Sequence, residues 1–463
     1  MSKETSDFRY NTGATKVPWA AVGENYNLQD TMEFVKFLMG GKGKEYNAAL
    51  KEVGTALARL SKVSTPPGKL SMGDKVAEVE RMIDKYLGVE EGSSLFVSNC
   101  TAALELGYRY AGIGPGDEVI VPSNTFIATV AYPLSVGAKL VFADVDPVTV
   151  NIDPKDIAKK ITKKTKIIVP VHIGGYPCDM DAIMKLAKKH DIVVMEDAAH
   201  GFGGEYKGRK LGTIGHFGCF SFHEVKNCTS LGEGGVFVSN VKAYRGEARR
   251  ARFLGVDFSS RIKNWLYNIS LIKGKGDVVY QASNNASVTE IQAIALMQQV
   301  KRYNKILAER KREAAYVTKR LSGIPGIMPQ PLGGGDIKPT FHLYQLQIDP
   351  KIVGGDVQTL KAKLEEKGVT NIPHFGPIYR FSASIGRGFD EKKIAKTCPV
   401  TEDVFDKRYT HLPIYGLTKE QLKVMADAII EAVAEMREGK RKSRLKNYKK
   451  NCQKKRLRPP VLR

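Results

Sequence analysis

The chain has 463 residues, 42% of them hydrophobic and 26% charged, with a formal net charge of +23. This length can bury a large core, and two domains are expected. No apolar run approaches the roughly 18 residues of a membrane span, and the N-terminus lacks a signal-peptide pattern, so a soluble cytoplasmic protein is expected. Six scattered cysteines without CxxC pairs fit a reducing compartment and argue against a zinc site or a disulfide framework.

The positive charge is concentrated at the C-terminus. Residues 440–463 contain twelve Lys and Arg and no acidic residue, which leaves +11 on the rest of the chain. Because a block of like charges cannot pack a core, the tail, residues 439–463, is predicted to be a solvated, disordered extension. Binding of RNA or an acidic membrane surface by this tail is the alternative, and for nucleic acid only nonspecific contacts are expected.

In chain order, residues 1–74 form an N-terminal arm with two helical patterns, near 28–41 and 46–60, before a Pro-Pro-Gly break. From residue 75, buried β-branched runs alternate with amphipathic segments. The runs lie at Asp117–Pro122, Ala138–Val145, Thr165–Ile173 and Asp191–Asp197, with predicted helices between them at Ala102–Ile113 and Met180–His190. This alternation predicts right-handed βαβ units and a mostly parallel sheet in an α/β domain, residues 75–285.

A second, smaller domain is predicted for residues 286–438. It begins with a helical pattern near 289–321 that is long enough to join two domains. Short strands, a helix near 357–368 and a last helix near 418–440 follow, which indicates an α+β domain.

The stretch from Glu196 to Asn240 contains the residues that indicate chemistry. Asp197 ends a predicted strand, so its side chain should point into the crevice where open α/β sheets bind ligands. Lys226 lies between the strand-like FGCFSF and the glycine turn GEGG. A lysine in a buried turn loses hydration, its pKa falls, and its amine becomes nucleophilic. A carboxylate at a strand end and such a lysine are what a pyridoxal 5′-phosphate (PLP) enzyme needs, the lysine for the Schiff base and the carboxylate for the pyridinium nitrogen.

The segment SNCTAAL could bind the cofactor phosphate. A strand, LFVSN, leads into Cys100 and Thr101, and a helix is predicted to start at Ala102. Backbone N–H groups and hydroxyls at a helix N-terminus favour phosphate. Thr101 could instead simply cap the helix, and the two roles are compatible.

Residues 75–300, and more loosely 15–435, resemble the DegT/DnrJ family of sugar-nucleotide aminotransferases, which are fold-type-I PLP enzymes. Four segments in order carry the resemblance: VSNCTAALELGYRYAGIGPGDEVIVPSNTFIAT, EDAAHGFGGEYKGRKLGTIGHFGCFSFHEVKN, GEGGVFVSN and VTEIQA. The resemblance implies a large domain with a mostly parallel sheet of seven strands flanked by helices. It also implies a smaller C-terminal α+β domain, PLP as cofactor and a homodimer with shared active sites.

The resemblance also assigns roles to residues around the cofactor. Lys226 would bind PLP and then move protons as the acid–base, and Asp197 would pair with the pyridine nitrogen. His200 would lie near the PLP hydroxyl, Ser221 would contact the phosphate, and Phe126 would lie on the ring. Related 3-dehydratases carry histidine at the lysine position, so the lysine favours transamination. The family usually has glycine where this chain has a cysteine, at position 100.

Three further residues are assigned with departures from the family pattern. Asn285 would reach the cofactor phosphate of the partner subunit, although the family's Gly and Arg beside it are Ser283 and Ser287 here. His374 and Tyr379, in PHFGPIYR, match a segment near the sugar, where Tyr379 replaces a second histidine. Residues 40–70 match the family weakly and contain an additional helical pattern.

The sequence therefore predicts an aminotransferase that moves an amino group from glutamate to a keto sugar, expected to be a nucleotide-linked 3- or 4-keto hexose. Such products would feed polysaccharide or antibiotic pathways. A cyclitol aminotransferase or an aminohydroxybenzoate-type synthase on the same scaffold is the alternative. A catalytically inactive relative whose tail binds nucleic acid or membrane is disfavoured by the presence of both Lys226 and Asp197.

Overall fold

A computed structural model of the chain describes residues 26–64, 70–263, 266–371 and 375–456. They form two compact units, one up to Gly73 together with Asp257–Asn268, and one of Asp74–Val256 together with the residues from Ile269 onward. Apart from residues 257–268, the predicted large and small domains, residues 75–285 and 286–438, lie within the second unit.

The α-helices of the described residues are α1 (Leu28–Leu38), α2 (Lys44–Ser61), α3 (Asp74–Leu87), α4 (Cys100–Tyr110), α5 (Ala128–Ser135), α6 (Pro154–Lys160), α7 (Met180–His190), α8 (Lys242–Ala251), α9 (Glu290–Leu321), α10 (Pro350–Val353), α11 (Val357–Glu366), α12 (Ser382–Ile385), α13 (Glu391–Thr397), α14 (Pro399–Asp403) and α15 (Lys419–Arg456).

The strands are β1 (Ser94–Val97), β2 (Glu118–Pro122), β3 (Lys139–Ala143), β4 (Thr165–Ile168), β5 (Val193–Asp197), β6 (Glu205–Tyr206), β7 (Arg209–Lys210), β8 (Phe217–Ser221), β9 (Gly235–Ser239), β10 (Val256–Lys263), β11 (Leu266–Ile269), β12 (Ile272–Lys273), β13 (Val279–Tyr280), β14 (Ile327–Pro329), β15 (Ile337–Lys338), β16 (Tyr344–Ile348) and β17 (Tyr409–Leu412).

The larger unit is built on a seven-stranded sheet in the order β1-β9-β8-β5-β4-β2-β3. The neighbours from β8 to β3 are parallel, and only β9 among these strands runs antiparallel to its neighbours. The strands β1, β2, β5, β8 and β9 are buried along their whole length, as expected for a sheet covered by helices on both faces. The prediction of an α/β fold with a mostly parallel sheet is confirmed.

A three-stranded antiparallel sheet, β14-β16-β17, forms the second core of this unit. α9, α11 and α15 pack against it, and their apolar faces share one cluster of buried residues. α9 begins at a capping box in which Thr289 and Gln292 each bond the other's backbone N–H. These cap bonds explain why the start of this helix could be predicted to within one residue.

The smaller unit contains the helical pair α1 and α2 and most of the β10–β11 hairpin. α1 begins at a capping box between Asn27 and Asp30. Both helices lack fully buried residues. The Pro-Pro-Gly break lies outside the described residues.

The structure contradicts the prediction of a disordered tail over residues 439–456. The backbone there continues α15 as a helix to Arg456. Two physical reasons account for this: residues 440–456 are rich in Lys and Arg, which favour helix, and an existing helix is extended without a new nucleation step. Within the described parts of the chain, no helix is both long and apolar enough to cross a bilayer.

Candidate active site

A cavity of about 1180 Å³ opens in the larger unit where β1, β5 and β8 end at their carboxyl edges. Ligands of open α/β sheets bind at such an edge. Seven residues singled out from the sequence line this one cavity: Cys100, Thr101, Phe126, Asp197, His200, Ser221 and Lys226. The fold thus brings together residues that are up to 126 positions apart in the chain.

Lys226 lies in the turn that follows β8, and its backbone N–H donates to the carbonyl of His223 at 2.9 Å. Burial lowers the pKa of its amine, and the nearby Cys100 and Asp197 offset part of this effect. An amine with a lowered pKa is neutral, and therefore nucleophilic, over a wider pH range than an exposed lysine.

Asp197 is the last residue of β5 and is 4% exposed. Its Oδ2 accepts a hydrogen bond from the Thr129 hydroxyl at 2.8 Å, and its Oδ1 accepts from the Ala199 N–H at 3.2 Å. Burial raises the pKa of this carboxyl, while these two hydrogen bonds and the cationic Lys226 oppose the rise. A carboxylate in this setting is suited to bind a buried cationic N–H group.

The carboxylate of the adjacent Glu196 binds backbone N–H groups of a loop. Its two oxygens accept backbone N–H bonds of 2.6–2.8 Å from Gly212, Ile214 and Gly215. His172 Nε2 also contacts it at 3.0 Å. With these partners, Glu196 holds the loop between β7 and β8 and does not line the cavity.

The N-terminus of α4 forms another wall. Asn99 caps the helix, because its side chain accepts from the Ala102 N–H at 2.9 Å. Cys100 and Thr101 follow in the first turn. Gly235 lies directly behind them, and a Cβ at this glycine would come within 2.4 Å of the Asn99 backbone. The glycine of the GEGG turn therefore allows β9 to support the first turn of the helix.

An aromatic wall continues the cavity. The Phe126 ring is exposed and lies 5.6 Å from the Phe375 ring, measured between centroids. Phe375 stacks on His200 at 5.8 Å, and His200 contacts the His342 ring at 4.2 Å. An exposed phenylalanine in such a wall can cover a planar ligand ring.

Two predicted site residues, Asn285 and Tyr379, are not brought to the cavity. Asn285 is exposed, and its Oδ1 accepts from the Ser287 N–H at 3.0 Å. Tyr379 is fully buried, donates its hydroxyl to Glu402 at 2.5 Å and does not line the cavity. Its predicted contact with substrate is therefore not supported by its position, which is explained by the packing of its ring against Phe142. His374 lies outside the described residues.

The structure adds residues that the sequence did not single out. Thr129 bonds to Asp197, Asn227 follows Lys226 and bonds to His342, and His342 lines the cavity. Arg310 and His411 also line the cavity, and Arg310 donates to the carbonyl of Ile414. Only tertiary contacts bring them to the site. Among these added residues, only Asn227 could have been suspected from the sequence, because it directly follows Lys226.

A family model for DegT/DnrJ/EryC1/StrS aminotransferases matches residues 55–430. The chain belongs to this family. Similar structures include one from Streptococcus pneumoniae, assigned as a sugar aminotransferase and solved in PMP and PLP forms. Its PMP form has a TM-score of 0.69 and 27% identity, covering 80% of this chain and 94% of that one. This family member is accordingly a PLP-dependent aminotransferase, and the predictions of enzyme class and cofactor are confirmed.

Two relatives of this DegT/DnrJ/EryC1/StrS chain have names from sugar metabolism, and one similar structure is a synthase of a non-sugar product. A spore coat polysaccharide biosynthesis protein of Bacillus subtilis (strain 168) is 34% identical over 319 residues, 67% of this chain and 78% of that protein. The GDP-perosamine synthase of Caulobacter vibrioides is 32% identical over 330 residues, 71% of this chain and 84% of that protein. A solved 3-amino-5-hydroxybenzoic acid synthase has a TM-score of 0.69 and 29% identity, with coverage of 78% and 91%.

The residues of the cavity fit PLP. A buried lysine with a lowered pKa and a buried carboxylate border the same space. The first turn of α4 and the Ser221 hydroxyl supply groups that bind phosphate. The cavity is also larger than a cofactor alone requires, which leaves room for a substrate.

Proposed function

We propose that this aminotransferase transfers an amino group from glutamate to a keto sugar linked to a nucleotide. The observation that carries the proposal is the convergence of Lys226 and Asp197 in one cavity. The sugar-related functions named for the relatives support the substrate class.

In the proposed site, the first turn of α4 and Ser221 hold the phosphate of PLP. Asp197 binds the pyridine N–H, with its carboxylate oriented by the Thr129 hydroxyl. Phe126 covers one face of the ring, and His200 lies beside its hydroxyl. When bound, PLP supplies an electron sink for the carbon that loses or gains a proton.

Lys226 is the proposed base and acid. Its amine takes the proton from the carbon of the donor that bears the amino group, and it returns a proton to the cofactor side. In the second half-reaction the same amine works in the reverse direction on the keto substrate. Burial favours this role, because an amine whose pKa is lowered can both accept and release a proton near neutral pH.

The proposed assembly is a homodimer in which Asn285 reaches the phosphate of the neighbouring subunit. Its exposure and its position outside the cavity of its own chain support this role. Within its own chain, the Asn285 side chain accepts a local hydrogen bond from the Ser287 N–H, and its backbone forms an isolated β-bridge with Phe253. A purely structural role is the competing reading of this position. Titration of Asn285→Ala with PLP separates that role from a phosphate contact.

A synthase that aminates a non-sugar ring is the second candidate. Its support is the similarity to 3-amino-5-hydroxybenzoic acid synthase, at 29% identity over 78% of this chain. Both candidates use the same lysine and aspartate, so they differ only in the ketone that fits the cavity.

The test is incubation of the purified enzyme with glutamate and a panel of keto sugar nucleotides, with products identified by mass spectrometry. Keto cyclitols and aminohydroxybenzoate precursors form the comparison panel, and Lys226→Ala is the matched inactive control. Amination of at least one sugar nucleotide is expected. Amination confined to the comparison panel would favour the second candidate and overturn the first.

A further inference from the structure

Asn227, the residue after Lys226, ties the lysine turn to the segment that precedes β16. Its Nδ2 donates to the backbone carbonyl of Thr340 at 3.1 Å. Its Oδ1 lies 2.9 Å from Nδ1 of His342. Because an amide oxygen only accepts hydrogen bonds, Nδ1 of His342 must carry the hydrogen. The neutral His342 ring therefore has its lone pair on Nε2.

His200 has the opposite tautomer. The backbone N–H of Gly174 points to its Nδ1 at 3.3 Å, so this nitrogen carries the lone pair and Nε2 carries the hydrogen. The segment before β16 also fixes this residue, since the Thr340 hydroxyl donates to the His200 carbonyl at 2.5 Å. His342 completes the connection by donating its backbone N–H to the Gly174 carbonyl at 2.9 Å.

The two imidazole rings are in direct contact, with centroids 4.2 Å apart and planes tilted by 37°. Two charged rings at this distance would repel each other. A proton on Nδ1 of His200 would also face the N–H of Gly174. Both effects disfavour a state in which the two rings are protonated together. The other titratable groups of the cavity wall include Cys100, Asp197, His223, Lys226, Arg310 and His411.

We propose that His342 is a positioning residue: through its Nδ1–H bond to Asn227 and its contact with His200, it holds the lysine turn and the Nε2–H of His200 in one fixed arrangement. This inference rests on the roles proposed for Lys226 and His200. A donor held beside the cofactor hydroxyl stabilises its anionic form. The fixed arrangement therefore lowers the pH at which the absorbance of the lysine-bound cofactor changes.

Two substitutions of one residue test this role. In His342→Asn, the side-chain amide can take the place of Nδ1 and still donate to Asn227. In His342→Gln, the longer amide reaches the place of Nε2 and leaves Asn227 without this donor. Asn227→Leu, which is similar in size, removes the same bond from its other end together with the bond from Asn227 to the Thr340 carbonyl. The measurements are a pH titration of the absorbance of the PLP-loaded protein and the melting temperature of the apoprotein.

We expect the absorbance change of His342→Gln and Asn227→Leu to move to higher pH by about half a unit or more, the size of one lost hydrogen bond. His342→Asn should stay closer to the wild type. Equal shifts in the Asn and Gln variants would overturn the proposal, as would lower melting temperatures without any shift. If the wild-type protein shows no visible absorbance with PLP, the role of Lys226 fails instead, and the two failures are thereby distinguished.

Discussion

Glu196 and Asp197 are consecutive residues of β5, yet their carboxylates have separate partners. Glu196 accepts backbone N–H bonds from the loop 212–215, whereas Asp197 accepts from Thr129 and borders the cavity. Successive side chains of a strand point to opposite faces, so one strand end supplies a structural and a functional carboxylate. Substitution of each should therefore have a different effect.

Asp197→Asn should leave PLP bound but slow turnover by on the order of a thousandfold, because a neutral amide cannot stabilise a cationic pyridine N–H as the reaction requires. The Thr129 hydroxyl can still donate to the amide oxygen, so the fold should be retained. Steady-state kinetics and a cofactor-binding titration check this result.

Glu196→Gln is the matched control for that prediction. It weakens charge-assisted bonds to several buried N–H groups, so the free energy of unfolding should fall by about 2 kcal/mol or more. Turnover per folded molecule should change little at low temperature. If Glu196→Gln lost turnover as severely as Asp197→Asn without losing stability, the division of roles between the two carboxylates would be wrong.

Lys226→Ala should abolish turnover and remove the visible absorbance of the lysine-bound cofactor. We expect PLP still to bind through its phosphate, because the proposed phosphate contacts involve the first turn of α4 and not the amine. Absorbance spectra and an assay for 2-oxoglutarate formation from glutamate provide the measurement. Conversion of glutamate by the alanine variant at more than a trace would contradict the assignment of Lys226.

Much of the sheet could be predicted because the residues of each strand indicate a strand by themselves. β2, β4 and β5 are β-branched runs, and their predicted ranges contain the observed strands. The pair of Lys226 and Asp197 could also be singled out, since each stands next to a strand end or a glycine turn. The mostly parallel arrangement followed from the helices between the strands.

Other features depend on tertiary contacts that a single sequence does not reveal. Tyr379 was placed near substrate by resemblance, but the structure packs its ring on Phe142 and bonds its hydroxyl to Glu402. His342 comes within hydrogen-bond distance of Asn227 although 115 positions separate them. Residues 439–456 continue α15 despite their charge density, because helix propensity and the adjoining helix outweigh the repulsion between like charges.

Deletion of residues 440–463 should leave PLP binding and turnover nearly unchanged. The buried residues of α15 end at Met436, so the removed part contributes no buried apolar contact among the described side chains. Lys440 donates to the carbonyl of Lys351, which is an exposed contact of small expected energy. Kinetics at moderate salt and the melting temperature of both proteins are the readouts. Loss of most activity on truncation would place the tail at the active site or at a subunit contact.

The last prediction concerns Asn285, which we expect to contact the cofactor phosphate of the partner subunit. A purely local role predicts that Asn285→Ala costs about 1 kcal/mol of stability, the size of the one lost hydrogen bond from Ser287, and leaves PLP affinity alone. A phosphate contact predicts weaker PLP binding with little effect on melting of the apoprotein. Titration of the variant with PLP and thermal melting of its apoprotein separate these two outcomes.

Mixed dimers of Asn285→Ala and Lys226→Ala subunits test whether the contact crosses between subunits. In a shared site, each mixed dimer carries both lesions in one active site and neither in the other, because each site combines Lys226 from one chain with Asn285 from the other. Activity should therefore reappear above that of both parents. Mixed dimers that form without such recovery would show that Asn285 acts within its own chain or has no role in cofactor binding.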